Sequence, residues 1–422
     1  MTFRLGARDE ARLAGEEGPG QQFAMRLVSR AAEAMGAKAL LDVVGAHVDA
    51  CLYLGPATLD FAERLAGAGA QVTVPTTLNV SSLDLIHPEL YRGDPDDGRA
   101  ARRLMECYEE MGCRPTWTCT PYQAGERPAF GENVAWAESN AIVFANSVLG
   151  ARTHRYGDFI DICCAVTGRA PAAGLHLDEA RRATVLVHLD GVSDELVNRD
   201  VLYPVLGGLL GRMVGKEVPV LEGLPSGLSE DRLKALGAAA ASTGAVGLFH
   251  VVGSTPEAPT LEAALQGRRP DSVLSVTPAD LRSARDRLST VAAGALDVVS
   301  LGTPHYSVEE FARLVELLDS RRVHDGVVLY AATSREVLNE VSLRGWEAIL
   351  LTAGVRIVTD TCTYVTPIID VAARTAMTDS AKWAYYAPGN LGLEVVFGST
   401  EDCVESAVAG QIVRDERIWS DE

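Results

Sequence analysis

The stretch "ALDVVSLGTPHYSVEEFARLVELL", residues 295–318, decides the class of fold. Its opening residues form a short apolar run rich in valine, which suits a buried strand. Glycine and proline follow in "LGTPHYS" and turn the chain. Ser307 stands three residues before Glu310, the spacing of a capping box, and the apolar residues of "VEEFARLVELL" recur at helical intervals. The stretch therefore reads as strand, turn and helix.

The same order returns along the chain. "AKALLDVVGAH" (37–47) reads as a strand entering a loop, and "ACLYLG" (50–55) as a second strand. "PATLDFAERLAGAGA" (56–70) has Pro56 at its start and Gly67 and Gly69 at its end, so it predicts a helix. "QVTVP" (71–75) is the next strand expected, running into the polar "TTLN" of 76–79. Further repeats are "GAVGLFHVVGSTPEA" (244–258), "DGVVLYAATSREVLNEV" (325–341) and "GVRIVTDTCTY" (354–364). Strands alternating with helices predict an α/β protein with largely parallel sheets. A chain of 422 residues exceeds one simple core. The expected division is into three α/β lobes, 1–172, 173–289 and 290–422, the first carrying most of the site motifs. Within the middle lobe, "VPVLEGLPSGLSEDRL" (218–233) reads as an exposed connection.

Bulk composition narrows the functional classes. The 38 basic and 57 acidic side chains give a formal charge of −19. No basic excess exists to displace counterions, so neither nucleic acid nor an anionic membrane surface is the expected partner. The apolar runs are too short for a membrane span. The charged opening "MTFRLGARDEARLAGEEG" lacks the apolar centre of a signal peptide, so the expected location is the cytoplasm. The eight cysteines are then expected reduced. None of them has the spacing of a zinc knuckle or a CxxC redox pair, so any metal site must be gathered from distant segments. No P-loop, HExxH or GxSxG occurs, and the glycine-rich "VLGGLLGRMVG" (205–215) reads as close packing rather than a phosphate cradle.

In parallel sheets, ligands sit beyond the carboxyl ends of the strands. The expected strand exits are His47, the run Thr76–Asn79, Cys119, 253–256, 302–305 and Thr359–Cys362. Cys119 lies among Thr118, Thr120 and Tyr122, and Cys362 between Thr361 and Thr363, whereas a structural cysteine usually has apolar neighbours. Cys163 and Cys164 are adjacent; on a helix they point about 100° apart, so only one can face a given site. Cys51, Cys107 and Cys113 read as structural, and Cys403 as either. His47, His250 and His305 lie at or near expected exits. "TDSAKWAYYAPG" (378–389) places Lys382 among aromatics and turn residues, as an anion grip or as a surface loop.

Several of these stretches together resemble the large subunit of aconitase X: "GAHVDACLY", "VTVPTTLNVSSLDLIHP", "TCTPY", "AESNAIVFANSVLGARTHRYGDFIDICCAVTGRAP", "GAVGLFHVVGSTPEA", "LGTPHYS", "TDTC" and "TDSAKWAYY". They occur in the expected order over nearly the whole chain. The resemblance implies an aconitase-like fold of three α/β lobes around a central cleft with an iron–sulfur cluster, [2Fe-2S] being favoured over [3Fe-4S] or [4Fe-4S]. It implies a hydro-lyase acting on a small hydroxy acid. One activity of the family dehydrates cis-3-hydroxy-L-proline to Δ1-pyrroline-2-carboxylate, and the other acts on mevalonate 5-phosphate. The first is the leading expectation, the second its alternative; a non-catalytic iron–sulfur redox sensor is the alternative of another class.

By the same resemblance Cys119 and Cys362 are cluster ligands, and Gly55, Thr76, Thr77, Asn79, Ser139, Asn140 and Lys382 contact substrate, Lys382 as a catalytic group. Phosphomevalonate-type members have a cysteine where this chain has Thr303, and a hydroxyl is a poor iron ligand. Cys163 is the expected third ligand, with Cys403 in reserve and Cys164 packing the core. His47 or His305 would serve as acid, base or hydrogen-bond partner. The large-subunit pattern fills the chain, which implies a separate small subunit carrying the swivelling domain of aconitase, and hence a heterodimer. The catalytic base is expected on that subunit.

Overall fold

The computed structural model describes residues 3–419. The chain divides into two compact units: residues up to Leu83 with Gly93–Arg182, and Asp84–Arg92 with Ala183 onward. Both are α/β with predominantly parallel strands, as the alternating pattern predicted.

The first unit carries β1 (Leu40–Asp42), β2 (Ala46–Val48), β3 (Thr76–Leu78), β4 (Ala135–Trp136) and β5 (Arg169–Pro171). β2 is the centre of a parallel sheet of order β3-β2-β4, in which His47 stands opposite Thr77 and Trp136. β1 pairs antiparallel with β5. Two expected strands are absent. "ACLYLG" is a turn, because Leu52 N donates to Asp49 O (3.3 Å) and Tyr53 N to Ser82 Oγ (2.9 Å), not to a ladder. "QVTVP" is also irregular, since Val72 N donates to Met111 O (2.9 Å) and Thr73 N to Ala165 O (2.9 Å), the ends of neighbouring helices. Its strand begins one step later, at Thr76. The helix Pro56–Gly67 forms as predicted, with Pro56 in its first turn.

The second unit holds two parallel sheets. One has the order β8-β7-β6-β9, built from β6 (Val185–Leu189), β7 (Pro219–Glu222), β8 (His250–Val251) and β9 (Ser272–Val276). The other has the order β12-β11-β10-β13-β14, from β10 (Val298–Tyr306), β11 (Val328–Thr333), β12 (Val355–Val358), β13 (Thr375–Thr378) and β14 (Glu394–Phe397). β10 and the helix Val308–Leu318 realise the opening stretch, and Ser307 and Glu310 close the capping box on each other's backbone N–H groups. Residues 302–305 lie inside β10, not beyond its end; the strand runs through them with a register shift between Leu301 and Tyr306.

Residues 218–233 are no exposed connection: they contain β7, whose Pro219, Val220 and Leu221 are buried, and the start of the helix Glu230–Thr243. The glycine-rich segment is the helix Leu202–Val214, as close packing predicted. Gly211 has no side chain because a methyl there would sit 2.6 Å from Ala240 O on that facing helix. Among the described residues no helix is long and apolar enough to cross a membrane.

Candidate functional site

In the first unit, the parallel register brings three chain exits together. Asp49 follows β2, Asn79 follows β3 and Glu138 follows β4 by two residues. Asn79 N continues the ladder to Val48 O (2.9 Å) and Ala137 N to His47 O (3.2 Å), so all three side chains leave the same end of the sheet. The Asn79 amide donates to Asp49 Oδ1. Glu138 caps the helix Ser139–Phe144 by accepting from Ala141 N (2.7 Å), and Ser139 Oγ donates to its other oxygen (3.2 Å). Asn140, one residue on, donates to Cys119 O (3.0 Å) and Tyr122 Oη (2.9 Å). Cys119 is buried in irregular chain, not at a strand end; this segment meets the sheet through an isolated bridge, Thr77 with Arg114, through Thr116 Oγ1, which accepts from Leu78 N (3.0 Å) and donates to Leu78 O (2.8 Å), and through Thr118 N to Leu78 O (3.2 Å).

The electrostatics of this end are acidic. Burial, then the negative charges of Glu138, Asp158 and Asp161, push the Asp49 carboxyl up to about 8. Asp161, fully buried, is pushed up to about 6 by burial, although its oxygens accept from the N–H groups of Asp49 (2.7 Å), Ala50 (3.3 Å) and Ile162 (2.7 Å). His47 is neutral at pH 7, since burial pushes it down to about 4; its Nδ1 shares a 2.8 Å hydrogen bond with Thr77 Oγ1. Asn79 Oδ1 and Asn140 Oδ1 are buried without a hydrogen-bond partner, and an unpaired buried carbonyl costs about 1–3 kcal/mol unless a ligand satisfies it.

Other expected residues stand apart from this set. Thr76 faces away from Thr77 by strand alternation and spends its hydroxyl on Val74 O (2.9 Å). Gly55 precedes the helix Pro56–Gly67 with φ at +125°, a conformation open to glycine. Cys163 and Cys164 both lie buried in the helix Ile160–Thr167. Burial first, then Cys164 and Asp161, push the Cys163 thiol well up, and among the described residues it joins no group of three candidate ligand side chains.

In the second unit, β12 ends in Val358 and the chain turns through Thr359–Thr363. Asp360 holds that turn in the left-handed region (φ +62°), clamped by Arg335 through Nε (2.6 Å) and Nη2 (2.7 Å). Asp84 accepts from Thr359 N (2.8 Å) and Thr359 Oγ1 (2.9 Å). His305 Nε2 meets Thr361 O at 3.1 Å, and a ring nitrogen of His305 lies within 4.8 Å of Cys362 Sγ. Thr363 Oγ1 shares a hydrogen bond with Ser300 Oγ (2.7 Å) and accepts one from Trp383 Nε1 (2.9 Å). Lys382, next to that tryptophan, is buried in the first turn of the helix Ala381–Leu391, where a turn-rich loop was one expectation. Thr303 Oγ1 is buried and unpartnered. Cys403 is buried in the helix Thr400–Ala409.

The sequence reasoning missed Asp49, Glu138 and Asp161. Asp49 is legible in hindsight, as the acid two residues after His47 in "HVDA" at a strand exit. Asp161 shares "DFIDICC" with the two cysteines and gave no signal of its own.

Comparison with known proteins agrees along the whole length. Models of the aconitase X first, second and third domains match residues 2–179, 183–286 and 296–409. A cis-3-hydroxy-L-proline dehydratase of Pseudomonas aeruginosa is 45% identical, over 99% of this chain and 72% of its own. A phosphomevalonate dehydratase large subunit of Methanothermobacter thermautotrophicus is 38% identical, over 93% of this chain and 96% of its own. The crystal structure of Thermococcus kodakaraensis aconitase X in its holo form superposes with a TM-score of 0.87 at 32% identity, covering 96% of this chain and all of that one.

Proposed function

The chain belongs to the aconitase X family, and from that premise we propose that it is the large subunit of a dehydratase that converts cis-3-hydroxy-L-proline to Δ1-pyrroline-2-carboxylate. The observation that carries the substrate choice is the 45% identity to the bacterial hydroxyproline enzyme, against 38% to the archaeal phosphomevalonate subunit. Thr303 in place of a cysteine supports the same side.

The residues fit an iron–sulfur cluster. Cys119 and Cys362 are both buried, and hydroxyl pairs flank each: Thr118 with Thr120 (3.1 Å), and Thr361 with Thr366 (2.5 Å). Hydroxyls of this kind can donate to thiolate or sulfide and hold negative charge beside iron. Cys119 and Cys362 are the proposed ligands of a cluster, with [2Fe-2S] favoured. His305, beside Cys362, and Cys163, the cysteine expected from the family pattern, compete for the third position. When bound, the cluster supplies a Lewis acid that polarises a leaving hydroxyl. The unpaired Oδ1 atoms of Asn79 and Asn140 accept from the imino group or hydroxyl of the substrate, and Lys382 pairs with its carboxylate. His47, neutral and anchored on Thr77, orients bound hydroxyls rather than carrying charge. Ser139, Thr77 and Gly55 complete the proposed lining.

The archaeal relative is named a large subunit, and this chain spans 96% of it. The proposal therefore includes a small-subunit partner with the swivelling domain, and the catalytic base on that partner. Cysteines outside any disulfide and an iron–sulfur group suit a reducing compartment, which supports a cytoplasmic location for the pair. The test is to assay the co-expressed pair with both compounds at matched concentration; faster water loss from mevalonate 5-phosphate reverses the substrate choice. Iron content of Cys119→Ser, Cys362→Ser, Cys163→Ser and His305→Ala then reads the ligand set. Full iron in both of the first two removes the cluster assignment, and the last two identify the third ligand.

A further inference from the structure

Three chain exits at one end of the first unit's parallel sheet deliver Asp49, Asn79 and Glu138, and Asp161 lies beneath them. Among the described residues no lysine or arginine pairs with Asp49. Its neighbours from every side are acidic or neutral: Glu138 from the helix cap after β4, Asp158 from the loop before the helix Ile160–Thr167, and Asp161 from that helix. His47 on its own strand is uncharged at neutral pH, and the Cys51 thiol is pushed well up by burial and then by Asp49 itself. Asp161 is fully buried and spends its oxygens on backbone N–H groups, while Asp49 is only half-buried. Of the two, Asp49 is the carboxyl that a small molecule can reach. Beside it, the 3%-exposed Asn79 keeps Oδ1 unpaired, as does the 1%-exposed Asn140 in the helix that Glu138 caps. Buried acceptors without partners next to a reachable carboxyl mark a place prepared for a donor-bearing ligand.

Resting on the dehydratase reading above, we propose that Asp49 is the catalytic acid of this chain: its carboxyl gives a proton to the departing hydroxyl. The step balances as a loss of water. The C2–H bond breaks and its proton goes to the base; the C3–O bond breaks and the hydroxide leaves as water with the Asp49 proton; the electron pair of the C–H bond becomes the C2=C3 double bond of an enamine, which tautomerises to Δ1-pyrroline-2-carboxylate as C3 takes a proton from solvent and the ring nitrogen gives one up. Solvent then reprotonates Asp49 and deprotonates the base. Burial and the neighbouring carboxyls explain why the proton is held. Desolvation disfavours the charged form first, and the neighbouring carboxyls of Glu138, Asp158 and Asp161 disfavour a further negative charge in the same direction. With its carboxyl pushed up to about 8, Asp49 is mostly in the acid form at neutral pH, the form a proton donor needs.

The experiment uses the reconstituted, iron-loaded pair. Asp49→Asn should keep its iron and its KM within a few fold but lose about 10²–10⁴ in kcat. The alkaline limb of the wild-type kcat profile should disappear in Asp49→Asn. In Glu138→Gln, which keeps the helix cap but removes one repelling charge, that limb should move to lower pH. Of the infrared carbonyl absorption of protonated carboxylic acids at pH 7 without substrate, one component should be lost in Asp49→Asn, while that of Glu310 stays. A kcat within tenfold of wild type, an unmoved limb in Glu138→Gln, or an unchanged infrared band overturns the assignment. Should Asp49→Asn fail to fold, the Glu138→Gln profile and its infrared titration decide alone. A wild-type pair inactive on both candidate substrates overturns the dehydratase reading, and the infrared band, which needs no turnover, still judges Asp49.

Discussion

Replacing Arg335 by Met should loosen the turn that carries Cys362. Asp360 is completely buried, holds a left-handed backbone conformation, and receives two hydrogen bonds from the Arg335 guanidinium at 2.6 and 2.7 Å. Methionine keeps the apolar stem but removes the cation, leaving a buried carboxyl that still accepts from Leu85 N at 3.1 Å. Removing one member of a fully buried pair costs roughly 3–5 kcal/mol. Arg335 is 35% exposed, so solvent screening reduces this to about 2–3 kcal/mol. At about 2–4 °C per kcal/mol for a unit of this size, the melting temperature of the second unit should fall by roughly 5–10 °C. The pH dependence has a definite sign. Burial raises the Asp360 carboxyl even with Arg335 present, and removing the cation raises it further. A raised carboxyl stabilises the fold while protonated and loses that contribution as pH climbs through its folded value. The deficit of the variant should therefore be larger at pH 8 than at pH 5.5. Thermal melts followed by circular dichroism at both pH values check this. A shift below about 1 °C, or a deficit that shrinks at higher pH, would refute the clamp.

Two further outcomes follow from the second unit. Lys234 has a side chain only 2% exposed, paired with Asp231 (2.9 Å) and with Glu310, which burial and then Asp231 push up to about 8. Lys234→Met leaves the two carboxyls facing each other, and urea unfolding should show a loss that grows between pH 5.5 and 8.5, as Glu310 gives up its proton. Gly211→Ala should lower the melting temperature by several degrees, because its methyl would sit 2.6 Å from Ala240 O. Gly208→Ala, with its nearest neighbour at 4.0 Å, should be neutral or gain up to about 1 kcal/mol from helix propensity, and equal melts for the two would remove the close-crossing argument.

Local chemistry wrote much of this protein in its sequence. The helix Pro56–Gly67, the capping box at Ser307 and Glu310, and the close packing at Gly211 all follow from contacts within a few residues or from a side chain's absence. So does the polar setting of Cys119 and Cys362, since their neighbours in sequence are the threonines themselves. Tertiary structure alone decided where strands begin. "QVTVP" has strand composition, but its N–H groups are taken by carbonyls at Met111 and Ala165, at least 39 residues away in sequence (111 minus 72). It likewise decided what the acids do. Asp49, Glu138 and Asp161 are ordinary carboxylates on paper, separated by up to 112 positions, and become one coupled acidic group only when the β2–β4 register and the buried helix Ile160–Thr167 bring them together. Propensity acts within a few residues of the chain, whereas desolvation and charge act through space, so the sequence could state the type of each residue but not which of them would hold a proton.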